Sequence, residues 1–275
     1  MAPKVVKIYS ENNLFQHIDT LRRNREKRHR NRAFFVEGVR PINAALQDNW
    51  TITTFVYARD RRMSDWARGI LSRSRAEMHV EVPLTLLHKL SNKTETSELL
   101  ALVATPEDRL SRIPIEDNLR VVVCDRPASP GNLGTLIRSC DALGVDGVVI
   151  AGHAVDLYDP ATISATTGSF FAVPIVRVAG PDDLLPWFDT IRRTIGLCEV
   201  VGTSAKATSD ISTHDLTGPT VLVVGNETWG LSARLKELCD TMVTIPMHGS
   251  ATSFNMACAV SIMLYEIDRQ RRSRP

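Results

Sequence analysis

The chain has 275 residues, 43% of them hydrophobic and 23% charged, with a formal net charge of only +2. That is the composition of a globular protein, and no apolar run reaches the roughly 18 residues needed to cross a bilayer. Its five cysteines, Cys124, Cys140, Cys198, Cys239 and Cys258, are odd in number and contain no Cys-x-x-Cys, which argues against a zinc site and a disulfide framework and for a reducing cytoplasm.

Charge is divided unevenly. Residues 1–107 carry 18 Lys+Arg against 12 Asp+Glu, while the remainder is net acidic. Two halves of opposite sign suggest two domains, with a polyanion-facing surface on the first. The segment Met1-Ala2-Pro3-Lys4 lacks the apolar core of a secretory signal.

The sharpest basic run is Arg22, Arg23, Arg25, Lys27, Arg28, Arg30 and Arg32, and Arg59, Arg61, Arg62, Arg68, Arg73 and Arg75 continue the bias. It reads equally well as a solvated helix face or as a surface that grips phosphate by counterion release. Phe34–Val36 then reads as a strand, Pro41–Gln47 as a helix and Ile52–Tyr57 as a strand, making a small α/β module. Residues 105–118 are polar and contain Pro106 and Pro114, the signature of a linker.

Beyond it, short apolar runs at Leu119–Cys124, Gly147–Ala151, Pro174–Val178, Val200–Thr203, Thr220–Val224 and Met242–Ile245 alternate with helical stretches. Such a pattern predicts a mostly parallel sheet covered on both faces. Neither a Gly-x-Gly-x-x-Gly nor a P-loop follows the first strand, and no spacing of His or carboxylates suggests a metal.

Three loops follow strands of that sheet. In Pro130-Gly131-Asn132-Leu133-Gly134-Thr135-Leu136-Ile137-Arg138, Asn132 is placed as the N-cap of a helix whose apolar face is Leu133, Leu136, Ile137, Cys140 and Leu143, with Gly144 as its stop. Arg138 points away from that face and, taken by itself, is a surface arginine. In Gly225-Asn226-Glu227-Thr228-Trp229-Gly230-Leu231-Ser232, two glycines let the backbone turn sharply, and Glu227 falls at a strand's carboxyl end. In Ile245-Pro246-Met247-His248-Gly249-Ser250-Ala251-Thr252-Ser253-Phe254-Asn255, small and polar residues precede a long helix, which Ser253 is placed to cap unless its hydroxyl serves a ligand instead.

Taken together, in this order, the three loops resemble the signature motifs of the SpoU/TrmH branch of the SPOUT RNA ribose 2′-O-methyltransferases, over about residues 119–272. Phe35-Val36-Glu37-Gly38 leading into a helix resembles the start of the L30e-like substrate-binding domain that many members carry. Over its length the chain is most similar to the avilamycin-resistance type of 23S rRNA (uridine-2′-O)-methyltransferases, with Asp125–Asn132 and Leu157–Pro160 adding to the likeness.

The resemblance implies an L30e-like domain at 1–107, a linker at 108–118 and a knotted parallel-sheet methyltransferase domain at 119–275. It further implies S-adenosylmethionine as cofactor, bordered by Gly225, Ile245, Met247 and Phe254, and a homodimer through the terminal helix. Arg138 takes the principal catalytic role, supported by Asn132, Glu227, Ser253 and Asn255. The basic run would face RNA, with 23S rRNA as substrate and antibiotic resistance as one physiological role. A tRNA substrate, or a catalytically silent RNA-binding protein, remain alternatives. One departure stands out: relatives carry a basic residue just before Thr167-Gly168-Ser169, where this chain reads Ala161-Thr162-Ile163-Ser164-Ala165-Thr166.

Overall fold

A computed structural model describes residues 3–273. Met1, Ala2, Arg274 and Pro275, which fall within the expected signal-free start and the expected outer domain limits, lie outside the described residues. The chain divides into two compact units, residues 1–106 with 156–172, and residues 107–155 with 173–275.

The first unit runs β1 (Lys4–Lys7), α1 (Asn13–Arg23), α2 (Arg25–Asn31), β2 (Ala33–Glu37), α3 (Val39–Gln47), β3 (Ile52–Ala58), α4 (Asp65–Arg73), β4 (Met78–Val82), α5 (Leu84–Leu90) and β5 (Leu99–Ala104), and it takes the short helix Pro160–Ala165 (α7 in chain order) from the later segment. Its strands order β1-β4-β3-β5-β2, parallel except for β5. Phe15, Ile18 and Leu21 of α1 pack with Phe35, Val56, Val80 and Leu100 of the sheet to form its core.

The basic run is two helices rather than one solvated face. Asn24 ends α1, its N–H donating to Thr20 O, and starts α2, its side chain accepting from Lys27 N at 3.0 Å. Arg22, Arg23, Arg28 and Arg30 fall in last turns, where the helix dipole favours cations. Arg32 ends α2 in the left-handed region at φ 48°.

Arg28 corrects the sequence reading. It is 2% exposed, and its guanidinium donates to Asp156 Oδ2 at 2.6 and 2.9 Å and to the carbonyls of Leu21 and Arg22 at 2.9 and 2.8 Å. A cation satisfied on every side within the core faces no phosphate. Residues 156–172 are tied in further by an aromatic cluster: Phe34 and Trp50 meet Tyr158, Phe170 and Phe171, and Trp50 Nε1 donates to Phe171 O at 3.0 Å.

The second unit runs β6 (Arg120–Asp125), α6 (Pro130–Ala142), β7 (Gly147–Ala151), β8 (Ile175–Val178), α8 (Leu185–Ile195), β9 (Glu199–Thr203), β10 (Ser209–Asp210), β11 (Thr220–Val224), α9 (Ala233–Glu237), β12 (Thr241–Thr244) and α10 (Met256–Arg272). Its seven strands are all parallel, in the order β10-β12-β9-β11-β6-β7-β8. The continuous valine-rich runs suit strands buried on both faces. The expected linker is instead ordered within this unit: Arg112 donates to Ile175 O at 2.9 Å, Arg177 pairs with Asp108 at 2.6 Å, and Ile113 is buried where Gly147 has no side chain to obstruct it.

Candidate active site

The three loops emerge at the carboxyl ends of β6, β11 and β12. Ser129, not Asn132, caps α6, accepting from Asn132 N at 3.3 Å with Pro130 in the first turn. A Ser-Pro start is a recognised helix entry, and the sequence reading passed over it. The consequence is chemical. Freed from capping, the Asn132 side chain donates to Glu227 Oε1 at 3.0 Å and accepts from Asn255 Nδ2 at 2.9 Å.

Asn255, rather than Ser253, caps α10, its oxygen accepting from Ala257 N at 2.9 Å and Cys258 N at 3.4 Å. Glu227 also accepts from Ala128 N at 3.2 Å. One hydrogen-bonded chain therefore links all three loops: Ala128, Glu227, Asn132, Asn255 and the first turn of α10.

The middle loop is held from below. Asn226 accepts from Thr228 N at 2.9 Å and Trp229 N at 3.1 Å, donates to Arg126 O at 2.7 Å, and bridges Gly230 through the backbone. Gly225 is required here for space, since a Cβ would stand 2.3 Å from Gly230 C and 2.4 Å from Leu231 N. Gly230 turns at φ 67°, which suits a residue without a Cβ. Asp125, 2% exposed, accepts from Ser232 N at 2.6 Å and from Arg126 at 2.7 and 3.0 Å. That pairing raises the Arg126 pKa. Asp125, Arg126 and Asn226 are structural partners that the sequence reading missed; a carboxylate and an arginine side by side at a strand end were the available signal.

A cleft of about 360 Å³ opens at the carboxyl ends of the neighbouring strands β9, β11 and β12. Gly225, Ile245, Met247 and Phe254, the four expected cofactor neighbours, all line it, as do Glu227 and Ser253. Apolar walls, with loop backbone at the strand ends, fit an adenine-bearing ligand bound largely by shape and main-chain groups.

Arg138 is not among the cleft's residues. It lies exposed on α6, its guanidinium without a hydrogen bond or ion pair among the described residues. Burial, followed by the charges of Glu227 and Asp125, pushes the Cys124 thiol well up, and burial does the same to Cys140. Among the described residues no cluster of ligands could hold a metal.

Residues 119–265 match the model of the SpoU rRNA Methylase family, and residues 12–101 match that of the SpoU L30e-like domain. The chain belongs to the SpoU rRNA methylase family. This SpoU member is 44% identical over 273 residues to the 23S rRNA (uridine(2479)-2′-O)-methyltransferase of Streptomyces viridochromogenes, covering 99% of this chain and 95% of that protein. The crystal structure of the SpoU methyltransferase AviRb from Streptomyces viridochromogenes, in complex with the cofactor AdoMet, matches with a TM-score of 0.91 at 44% identity, covering 96% of this chain and all 100% of that one. An AdoMet-bound rRNA methyltransferase from Sinorhizobium meliloti matches with a TM-score of 0.84 at 31% identity, covering 96% and 98%. The expected SpoU fold, with an L30e-like domain ahead of a parallel-sheet methylase domain, is thereby established.

Proposed function

We propose that the chain is an S-adenosylmethionine-dependent RNA ribose 2′-O-methyltransferase acting on 23S rRNA in the cytoplasm. The observation that carries this reading is the convergence of three sequence-distant loops, through Glu227, Asn132 and Asn255, beside one cleft at the sheet's carboxyl edge.

S-adenosylmethionine carries a methyl on a sulfonium that is already strongly electrophilic, which leaves the protein to place and activate the ribose hydroxyl. Gly225, Ile245, Met247 and Phe254 border the cofactor in this reading, and Ser253 faces the same space. Glu227, Asn132 and Asn255 hold the loops in register rather than exchanging protons, because each is already engaged. Arg138 stabilises the developing alkoxide or clamps the adjacent phosphate, roles suited to a permanent charge with a rigid donor fork.

The exposure of Arg138 outside the cleft supports a homodimer in which the arginine of one protomer serves the cleft of the other. α10 offers the surface, with Ile262 and Tyr265 exposed. In this reading the chain takes the trefoil threading that the resemblance implies, with α10 packed back on α6, where the Ser139 and Ser261 hydroxyls meet at 2.7 Å.

Residues 1–107 serve as the RNA-binding domain in this reading. Arg23, Arg25, Lys27, Arg30 and Arg32 remain candidates for phosphate contact, whereas Arg28 is withdrawn and Arg22 is largely engaged with Asp19 and Asn92. Within the first unit, Arg22, Arg23 and Lys93 line a cleft of about 470 Å³ with Ala161 and Ser164, placing cations beside the stretch that lacks its own.

The test is to incubate the protein with methyl-labelled S-adenosylmethionine and separate pools of protein-free 23S rRNA, 16S rRNA and tRNA, followed by alkaline hydrolysis. A 2′-O-methyl blocks cleavage of its neighbouring phosphodiester, so the expected product is label in an alkali-resistant dinucleotide from 23S rRNA. Label from tRNA would overturn the substrate, and the absence of cofactor binding would overturn the enzyme reading.

A further inference from the structure

Trp229 is 79% exposed although it sits in a hydrogen-bonded turn of the middle loop. Its N–H donates to Asn226 Oδ1 at 3.1 Å, and the Asn226–Gly230 bridge closes the turn around it. Gly225, lacking a side chain, lets that turn fold back on its own strand end. A bulky apolar ring held outward on a fixed turn gains nothing from the core. The turn that carries it is fixed, however, so only the side-chain torsions remain to be ordered when something stacks upon the ring.

The indole lines the same cleft as the expected cofactor neighbours, as do Lys206 and Lys236. Both lysines are exposed, and among the described residues neither ammonium has an ion pair. Ile245, Met247 and Met263 already furnish the apolar wall. Trp229, at 79% exposure, stands at the mouth, where a ligand arrives from solvent. An aromatic face with two free cations is the combination that binds single-stranded nucleic acid, the ring taking a base and the ammonium groups its phosphates.

We propose that Trp229 is a stacking platform for an unpaired base of the substrate RNA, with Lys206 and Lys236 facing phosphates of the same strand. This rests on the methyltransferase reading and names how its substrate is held. Trp229 is thus a positioning residue and takes no part in bond making.

The test compares wild type, Trp229→Ala and Trp229→Phe by KM and kcat with protein-free 23S rRNA, S-adenosylmethionine Kd by calorimetry, and tryptophan emission titrated with a short unstructured oligoribonucleotide, with melting temperature and sedimentation measured alongside. Loss of one base–aromatic stack weakens binding about 5- to 150-fold. Trp229→Ala is expected to raise the RNA KM within that range, leave the cofactor Kd unchanged and retain the wild-type melting temperature, while Trp229→Phe recovers most of the loss. Emission should be quenched by RNA in wild type and much less so in Trp229→Phe, which keeps Trp50, Trp66 and Trp187. An unchanged RNA KM in Trp229→Ala would overturn the proposal, as would a parallel rise in cofactor Kd, which would assign the ring to the cofactor. An unchanged KM with altered sedimentation would equally overturn it, assigning the ring to contact between copies. Quenching by RNA without any methyl transfer in wild type would uphold the platform and remove the activity, so the two readings fail separately.

Discussion

Asn132 Nδ2 and Glu227 Oε1 meet at 3.0 Å across 95 residues of sequence. The same asparagine accepts from Asn255, so a single amide fixes the relative position of loops that follow three different strands. Amides suit the task because they donate and accept at once without changing charge with pH.

Replacing Asn132 with alanine strands both neighbours. A lost hydrogen bond with a partner left unsatisfied costs about 1–3 kcal/mol, so single-turnover methyl transfer is expected to fall about tenfold or more. Asn132→Asp should be worse at pH 8 than at pH 5.5, because a second carboxylate would face Glu227 and would be tolerated only when protonated. A pH-independent defect in Asn132→Asp would contradict this.

Arg138→Ala is expected to lower the methylation rate at least about a hundredfold, in line with the roughly 2.7–4 kcal/mol carried by one transition-state donor, while leaving cofactor affinity nearly intact. Mixing Arg138→Ala with a cleft variant, Gly225→Val, should restore activity through hybrid dimers that hold one complete site. Failure of the mixture to exceed either variant would place Arg138 and the cleft on the same protomer.

Arg28→Ala should destabilise the protein by about 3–5 kcal/mol, the usual cost of leaving a buried charge, here Asp156, without its partner. The double change Arg28→Met, Asp156→Leu should recover much of that loss in urea unfolding. Lys27→Ala and Arg30→Ala should do the opposite, weakening RNA binding with little change in stability. A soft RNA-binding defect in Arg28→Ala with normal stability would return that residue to the phosphate-facing set.

His79 gives a pH dependence with a definite sign. It is buried on β4 against Phe55 and Tyr57, and burial lowers its pKa below the usual 6.5. The unfolded chain therefore binds the proton first as pH falls, and stability is lost on acidification below about 6.5. The melting temperature of His79→Leu should fall less between pH 7 and pH 5 than that of wild type. Parallel curves for the two proteins would count against the assignment.

The strands of the second unit were legible because a sheet buried on both faces leaves uninterrupted valine runs, and Thr220–Val224 and Gly147–Ala151 fall as read. Caps were less so. Asn132 and Ser253 each have the right chemistry for a cap, and the true caps, Ser129 and Asn255, lie within three residues. Local sequence cannot rank neighbouring polar residues whose choice is settled by partners far along the chain, such as Glu227. The buried Arg28 was hidden for the same reason, since its partner Asp156 lies 128 residues away. Residues 105–118 read as a linker because prolines and polar residues dominate, yet Ile113 anchors them against a glycine whose role no local pattern reveals.

The insertion of residues 156–172 into the first unit also orders events during synthesis. When residue 107 leaves the ribosome, Arg28 is still an unpaired cation and Phe34 and Trp50 still lack the rings that cover them. The first unit therefore cannot finish folding once its first 106 residues are made, although they are translated without interruption. It must wait for β6, α6 and β7 to be made, and a gene cut at the apparent domain boundary would yield a fragment missing its own counter-ion.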